Sequence, residues 1–284
     1  MSLTPSAPSD LAQLRRLMAQ ANTAAHEGAA AQASTMTSDL SIDEELVLHS
    51  IGHEPIELVT GTSVFAVPYS VWRWGQGEIG AASGAYLGAF AAASKRLHAQ
   101  CAESGGHGVV GVDLQIEVER THVTVTMAGT AIRPVGSKPV PAGDAFVSDL
   151  SARDFALLTR AGWNVVGLCA GASFVYAPRR ALGQAMKQSA QNVELTNYTE
   201  AMYAARESAM ERMQSSALAL KATGVVGVSI TEGPLPFAGH AIGFCAWGTA
   251  VAVGHDGHLR IAPSMVVPLD DPVPLFDAAS LKGR

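Results

Sequence analysis

The sequence is poor in cysteine, in charge and in aromatic rings. Its three cysteines, Cys101, Cys169 and Cys245, are far apart, odd in number and form no CxxC pair. That argues against a secreted disulfide framework and fits a reducing interior. Charged residues are 15% of the chain, well under the roughly 25% of an ordinary globular protein. Lys and Arg number 19 against 25 Asp and Glu, the formal charge is −6, and no basic run occurs. Nucleic-acid binding driven by bulk charge is therefore disfavoured, as is adhesion to an anionic membrane. The first ten residues are polar and contain Pro and Ser, unlike the basic-then-apolar start of a signal peptide. Apolar stretches such as 165–177 are broken by Gly and Ser and fall short of the ~20 residues needed to span a bilayer. The expectation is a soluble cytoplasmic protein with no membrane insertion. Apolar side chains, by contrast, are plentiful at 48%, enough for a sizeable core. A chain so short of charge tends to hide surface in subunit contacts.

The strongest internal signal is a duplication. Leu40-Ser41 recurs at Leu150-Ser151, Gly52 at Gly162 and Gly61 at Gly171, all at an offset of 110 residues. Gly108-Val109-Val110-Gly111-Val112 recurs as Gly224-Val225-Val226-Gly227-Val228 at an offset of 116, and Gly129-Thr130-Ala131 as Gly248-Thr249-Ala250 at 119. Two repeats follow, residues 40–133 and 150–254. Between them, 134–149 has the Pro and Gly content of a linker. Residues 1–39 read as a helical or disordered segment and 255–284 as an extended tail.

Each repeat predicts the same succession of elements. Ser41 with Glu44, and Ser151 with Asp154, place a hydroxyl at a helix N-cap and a carboxylate three residues on. Gly52 and Gly162 then end a short helix. Strands are expected over 56–67 and 163–177, stopped by Pro68 and Pro178. An apolar stripe through Tyr198, Met202, Ala205, Ala209, Met213, Ala217 and Leu220 predicts a long helix over about 195–221. Its counterpart, about 83–103, reads as shorter. Alternation of Val112, Leu114, Ile116 and Val118 with polar residues then gives a strand, with a reversal at Thr121-His122. In the second repeat the reversal falls at Gly233-Pro234-Leu235-Pro236, and the return strand covers 241–253. The fold class is α+β: two β-α-β-β repeats, each preceded by a short helix.

Ser83-Gly84-Ala85-Tyr86, Ala204-Ala205-Arg206-Glu207, the Gly-Val-Val-Gly-Val strand starts and the closing Gly-Thr-Ala resemble the YbjQ family, labelled as heavy-metal-binding. The resemblance spans both repeats. Tyr198 to Val225 is 27 positions, as in the family, whereas Tyr86 to Val109 is 23, so either a helical turn is missing or the tyrosine has shifted. The Arg-Glu pair is absent from the first repeat. The resemblance implies a dodecin-subunit-like unit assembled into a pentameric α/β ring, with two tandem copies here that stack as two rings or alternate in one. Such closure covers strand edges that otherwise invite aggregation.

Few residues suggest chemistry. His98 and Cys101 are three apart on the first long helix, with His107 beyond its end. These are metal-ligand types, but soft sites commonly want four ligands, and the second repeat offers Gln214, Ala217 and Thr223 instead. Gly75-Gln76-Gly77-Glu78-Ile79-Gly80 matches GxGxxG ahead of a helix, the weak basis for a nucleotide-binding alternative. Tyr69, Trp72 and Trp74 beside that loop read as a subunit contact, as do Arg206 and Glu207. Ser173 lacks the second glycine of a nucleophile elbow, and Cys245 sits on an apolar strand. No acid/base pair rises above background. The function expected is therefore a non-enzymatic homo-oligomeric scaffold or small-ligand binder, with heavy-metal binding as the alternative.

Overall fold

The computed structural model describes residues 36–67, 77–119, 121–138, 145–177, 194–235 and 238–254. The loop carrying Tyr69, Trp72 and Trp74, the first 35 residues and the tail after 254 lie outside them.

Helix α1 (Ile42–Ser50) begins at Ser41, whose N–H donates to the Glu44 carboxylate at 3.0 Å. Helix α3 (Ala152–Arg160) begins at Ser151, whose hydroxyl accepts from the Asp154 N–H at 3.1 Å. Both short helices give way to a left-handed glycine, Gly52 and Gly162, with φ of 76° and 79°. These are the caps and stops the sequence predicts.

Strands β1 (His53–Ala66) and β5 (Trp163–Tyr176) follow, each of 14 residues. The long helices are α2 (Gly80–Glu103) and α4 (Thr196–Ala219), both of 24 residues. The expectation of a shorter first helix is corrected: α2 starts three residues before Ser83. Tyr86 occupies the seventh position of α2, where α4 has Met202, and Tyr198 the third position of α4, where α2 has Ala82. The tyrosine has moved by one turn and no turn is lost.

Strands β2 (Gly108–Val118) and β3 (His122–Pro134) form an antiparallel hairpin in the first half, and β6 (Gly224–Leu235) and β7 (Ala238–Val253) in the second. The second glycine of each Gly-Val-Val-Gly-Val run, Gly111 and Gly227, sits at φ 66° and 64° inside a break of register. A side chain there would strain the bulge. The sequence placed 134–149 in a linker, yet Phe146–Val147 form β4, parallel to the start of β2. The sheets are ordered β1-β3-β2-β4 and β5-β7-β6. In both, the strand that closes its half lies in the middle, and the strand that opens it (β1 or β5) is at one edge.

Alternate residues of the opening strands meet their own long helix. Val59, Gly61 and Ser63 are buried under α2, and Cys169, Gly171 and Ser173 under α4. The other face of β5 packs into the first half: Leu168, Ala170, Ala172 and Phe174 share one apolar cluster with Tyr86, Ala89 and Phe90 of α2. No helix among the described residues is long and apolar enough to cross a membrane.

Candidate functional site

The most elaborate polar constellation lies where the halves meet. Before α2, the backbone of Gly77, Glu78 and Ile79 runs along the open edge of β5: the Ile79 N–H donates to Phe174 O at 2.6 Å, and the Tyr176 N–H to Gly77 O at 3.0 Å. This aims the Glu78 carboxylate across to α4. There the Arg212 guanidinium takes both its oxygens, Nη2 donating to Oε2 at 2.8 Å and Nη1 to Oε1. Nη1 also donates to Ala172 O at 2.6 Å. The hydroxyls of Ser83 and Ser173 donate to Oε1 at 2.7 and 3.3 Å. Ser83 in turn accepts from the Phe174 N–H at 3.1 Å. Two-pronged Arg–carboxylate pairing is geometrically specific. The Arg212 hydrogen bonds outweigh partial desolvation and hold the Glu78 carboxyl below its ordinary value; Glu78 raises Arg212 correspondingly. The carboxylate stands at the start of α2, where a phosphate would have to sit, so the part of GxGxxG within the described residues serves this junction.

The sequence singles out Glu78 within GxGxxG, Ser83 in the family resemblance and Ser173 as an incomplete nucleophile elbow, but neither Arg212 nor the grouping of the four, although a signal for it is present. Glu78, Ser83 and Arg96 recur 116 residues on as Glu194, Thr199 and Arg212, and Ser63 recurs 110 on as Ser173. The repeat signal rests on glycines, apolar runs, the Leu-Ser and Gly-Thr-Ala steps and the two helix caps, none of which includes these polar positions.

The predicted metal residues are not brought together. Nδ1 of His98 lies 2.7 Å from Ser94 O, and Nε2 of His107 lies 2.6 Å from Lys138 O. Cys101 is buried in the apolar cluster. Burial pushes the thiols of Cys101 and Cys169 up to about 11 and that of Cys245 to about 12, so none offers a thiolate near neutrality. Among the described residues no three His, Cys, Asp or Glu side chains are grouped to hold a metal ion. Among the described residues the donor set does not fit a heavy-metal centre. Arg206 and Glu207 are exposed on α4, in a shallow concavity with Tyr203, Met210, Glu211 and Gln214.

Residues 165–254 match the YbjQ_1 family model, described as "Putative heavy-metal-binding". Over 244 residues the chain is 37% identical to "Encapsulin nanocompartment protein Rv1762c" of Mycobacterium tuberculosis (strain ATCC 25618 / H37Rv), covering 83% of this chain and 92% of that protein. The chain belongs to the Rv1762c family. The YbjQ_1 match takes in β5 from Val165 onward, α4, β6 and β7, and so includes Ser173 and Arg212 of the junction.

Proposed function

We propose that this chain is a non-enzymatic, self-assembling scaffold of the cytoplasm. In this reading it is made of two copies of one unit, residues 40–133 and 150–254, and five chains close into a ring. What supports it is unused interface. The edge strands β1 and β6 are long, and they expose Val64, Val228 and Ile230 at 59%, 40% and 52%. Open, apolar strand edges are the surface an assembly covers. The name of the Rv1762c protein associates it with an encapsulin nanocompartment, and we extend to this chain a structural role in or on such a compartment. Arg206 and Glu207, and the loop with Tyr69, Trp72 and Trp74, are proposed as contacts between chains. Native mass spectrometry of the full-length protein tests the reading. It predicts one dominant species of five chain masses, and a monomer or dimer at micromolar concentration rejects it.

A further inference from the structure

The contact between the halves is directional, and the chain carries an unmatched copy of each of its two sides. In the matched contact, the first half supplies the start of α2, with Glu78, Ile79 and Ser83, and the outer edge of β2. The second half supplies the edge of β5 with Arg212, and the segment before α3. That segment fills a slot beside β2: Ala145 and Val147 are buried, the Ser148 N–H donates to Val109 O at 2.9 Å, and the Val112 N–H to Ser148 O at 3.1 Å.

The same parts recur without these partners. At the start of α4, Glu194 accepts from the Thr199 hydroxyl at 2.8 Å, as Glu78 does from Ser83. Ile79 and Leu195 precede their helices with nearly the same backbone, φ −89°, ψ 74° and φ −88°, ψ 75°. Yet Ile79 is 3% exposed and Leu195 39%. On β1, Arg96 donates to Thr62 O, as Arg212 does to Ala172 O, but among the described residues neither Arg96 nor Glu194 makes an ion pair. Phe174 on the used edge is 2% exposed, and its counterpart Val64 is 59%. Beside β6, where the slot next to β2 is filled, there is instead an open apolar groove of about 440 Å³ walled by Met210, Met213, Leu218, Val225 and Val228. Val112 is 5% exposed and its counterpart Val228 is 40%.

We infer that a second copy of this chain docks head to tail on the first, repeating the internal junction: Glu194 and Leu195 of one copy seat on the β1 edge of the next and pair with its Arg96. In return, the segment at Met36 before the second copy's α1 enters the groove beside β6 of the first. Met36 stands 110 residues before Phe146, the residue that opens β4. The inference deepens the scaffold reading and rests on it. It fixes the order of units as first half, second half, first half, and it is a heterologous contact of the kind that closes into a ring when the rotation allows.

Two sets of variants of the full chain test it. Glu194→Arg and Arg96→Glu each place like charges in the junction and are expected to raise the dissociation concentration about tenfold or more, while the double exchange recovers most of the loss. Thermal melts check that each variant folds, since Arg96 also bonds within its own chain. Independently, Glu78 opposes Val175 in an antiparallel bridge that is not hydrogen-bonded between the two residues. The corresponding pair, Glu194 and Phe65, is then expected to approach within about 4.5 Å between Cα atoms, inside the disulfide range. Oxidised Phe65→Cys/Glu194→Cys protein should give a reductant-sensitive ladder of three or more chains, and each single variant none. If wild type assembles but the charge variants assemble equally well and the ladder stops at the dimer, this junction is wrong and the scaffold reading stands. If wild type is monomeric, both fall.

Discussion

Replacing Gly171 by alanine tests the claim that strand and helix backbones touch directly at the centre of each half. A Cβ at Gly171 would stand 2.0 Å from Ala209 O and 2.5 Å from Met213 N, and one at Gly61 2.3 Å from Ala93 O and 2.9 Å from Leu97 N. All four neighbours are main-chain atoms of α4 or α2, so no side chain can swing aside. The helix must lift from the strand, loosening Ala205, Ala209 and Met213 in one half or Ala89, Ala93 and Leu97 in the other. Overpacking a core costs about 1–3 kcal/mol, and contacts this short put Gly171→Ala near the top at about 3 kcal/mol. A gain of about 0.5–1 kcal/mol from stiffening the unfolded chain offsets part of that, for a net loss of about 2 kcal/mol. Gly61→Ala should lose slightly less. Gly84→Ala, on an exposed part of α2 with open space around it, should gain up to about 1 kcal/mol from helix propensity. Urea midpoints at a single protein concentration report all three, because assembly shifts apparent stability. A Gly171→Ala loss under about 0.5 kcal/mol, within the range of ordinary surface substitutions, would refute the close approach.

Three further perturbations concern the Glu78 carboxylate and the thiols. Because Arg212 holds the folded-state carboxyl of Glu78 below its ordinary value near 4.5, its contribution is complete above that pH and is lost as pH falls through the lowered value. Glu78→Gln should therefore cost about 1 kcal/mol at pH 7, an allowance for its partial exposure, and should show a smaller further loss on acidification; parallel acid limbs in melts from pH 6 to pH 3 would count against the pairing. The three thiols should be inert to a thiol reagent at pH 8 in the folded protein and react fully after unfolding. Cys101→Ala should leave copper and zinc content of untagged protein unchanged by elemental analysis, and a fall in bound metal would reinstate the centre formed with His98 and His107.

What was legible in the sequence was whatever a single residue type enforces. Ser41 and Ser151 announce helix starts because a hydroxyl satisfies the free N–H groups there, and Gly52 and Gly162 announce the stops because φ must be positive. The recurrence at an offset of 110 shows through Gly61 and Gly171 because two backbones meet at each. The start of α2 is not legible because Gly80, Ala81 and Ala82 carry no periodic pattern; that helix begins where Glu78 and Ile79 dock on β5, a contact no local window contains. Strand β4 was hidden for the same reason. Phe146–Val147 are strand only because the start of β2 lies beside them, and the prolines around them read as linker. The polar junction demanded a comparison of Glu78 with Glu194 and Arg96 with Arg212 as pairs across the halves.

The two Thr–Asp hydrogen bonds at the openings of the halves show how one motif can carry different weight. Thr130 donates to Asp39 and Thr249 to Asp149, the latter at 2.5 Å, and both threonines are fully buried. Asp39 is exposed, whereas Asp149 is half-buried and its neighbour Ser148 is buried, with the Ser148 hydroxyl 2.9 Å from Thr249 Oγ1. Burial raises the Asp149 carboxyl above its ordinary value and the Thr249 hydrogen bond opposes that rise. A raised acid disfavours the folded state as it ionises, so stability from this group declines as pH climbs from about 4 through the raised value. Thr249→Val strips the compensating donor and leaves Ser148 short of a partner, for an expected loss of about 2–3 kcal/mol at pH 7 that shrinks on acidification. Thr130→Val strands an exposed carboxylate and the Asp39 N–H, which donates to Thr130 Oγ1 at 3.3 Å, but leaves no buried serine short of a partner, and should cost about 1 kcal/mol. Urea midpoints at pH 7 and pH 4.5 separate the two, and equal losses at both pH values would mean that Asp149 is as well solvated as Asp39. If a second copy covers the segment before α1, Asp39 becomes as sheltered as Asp149, and the gap between the variants must narrow as protein concentration rises into the assembled range.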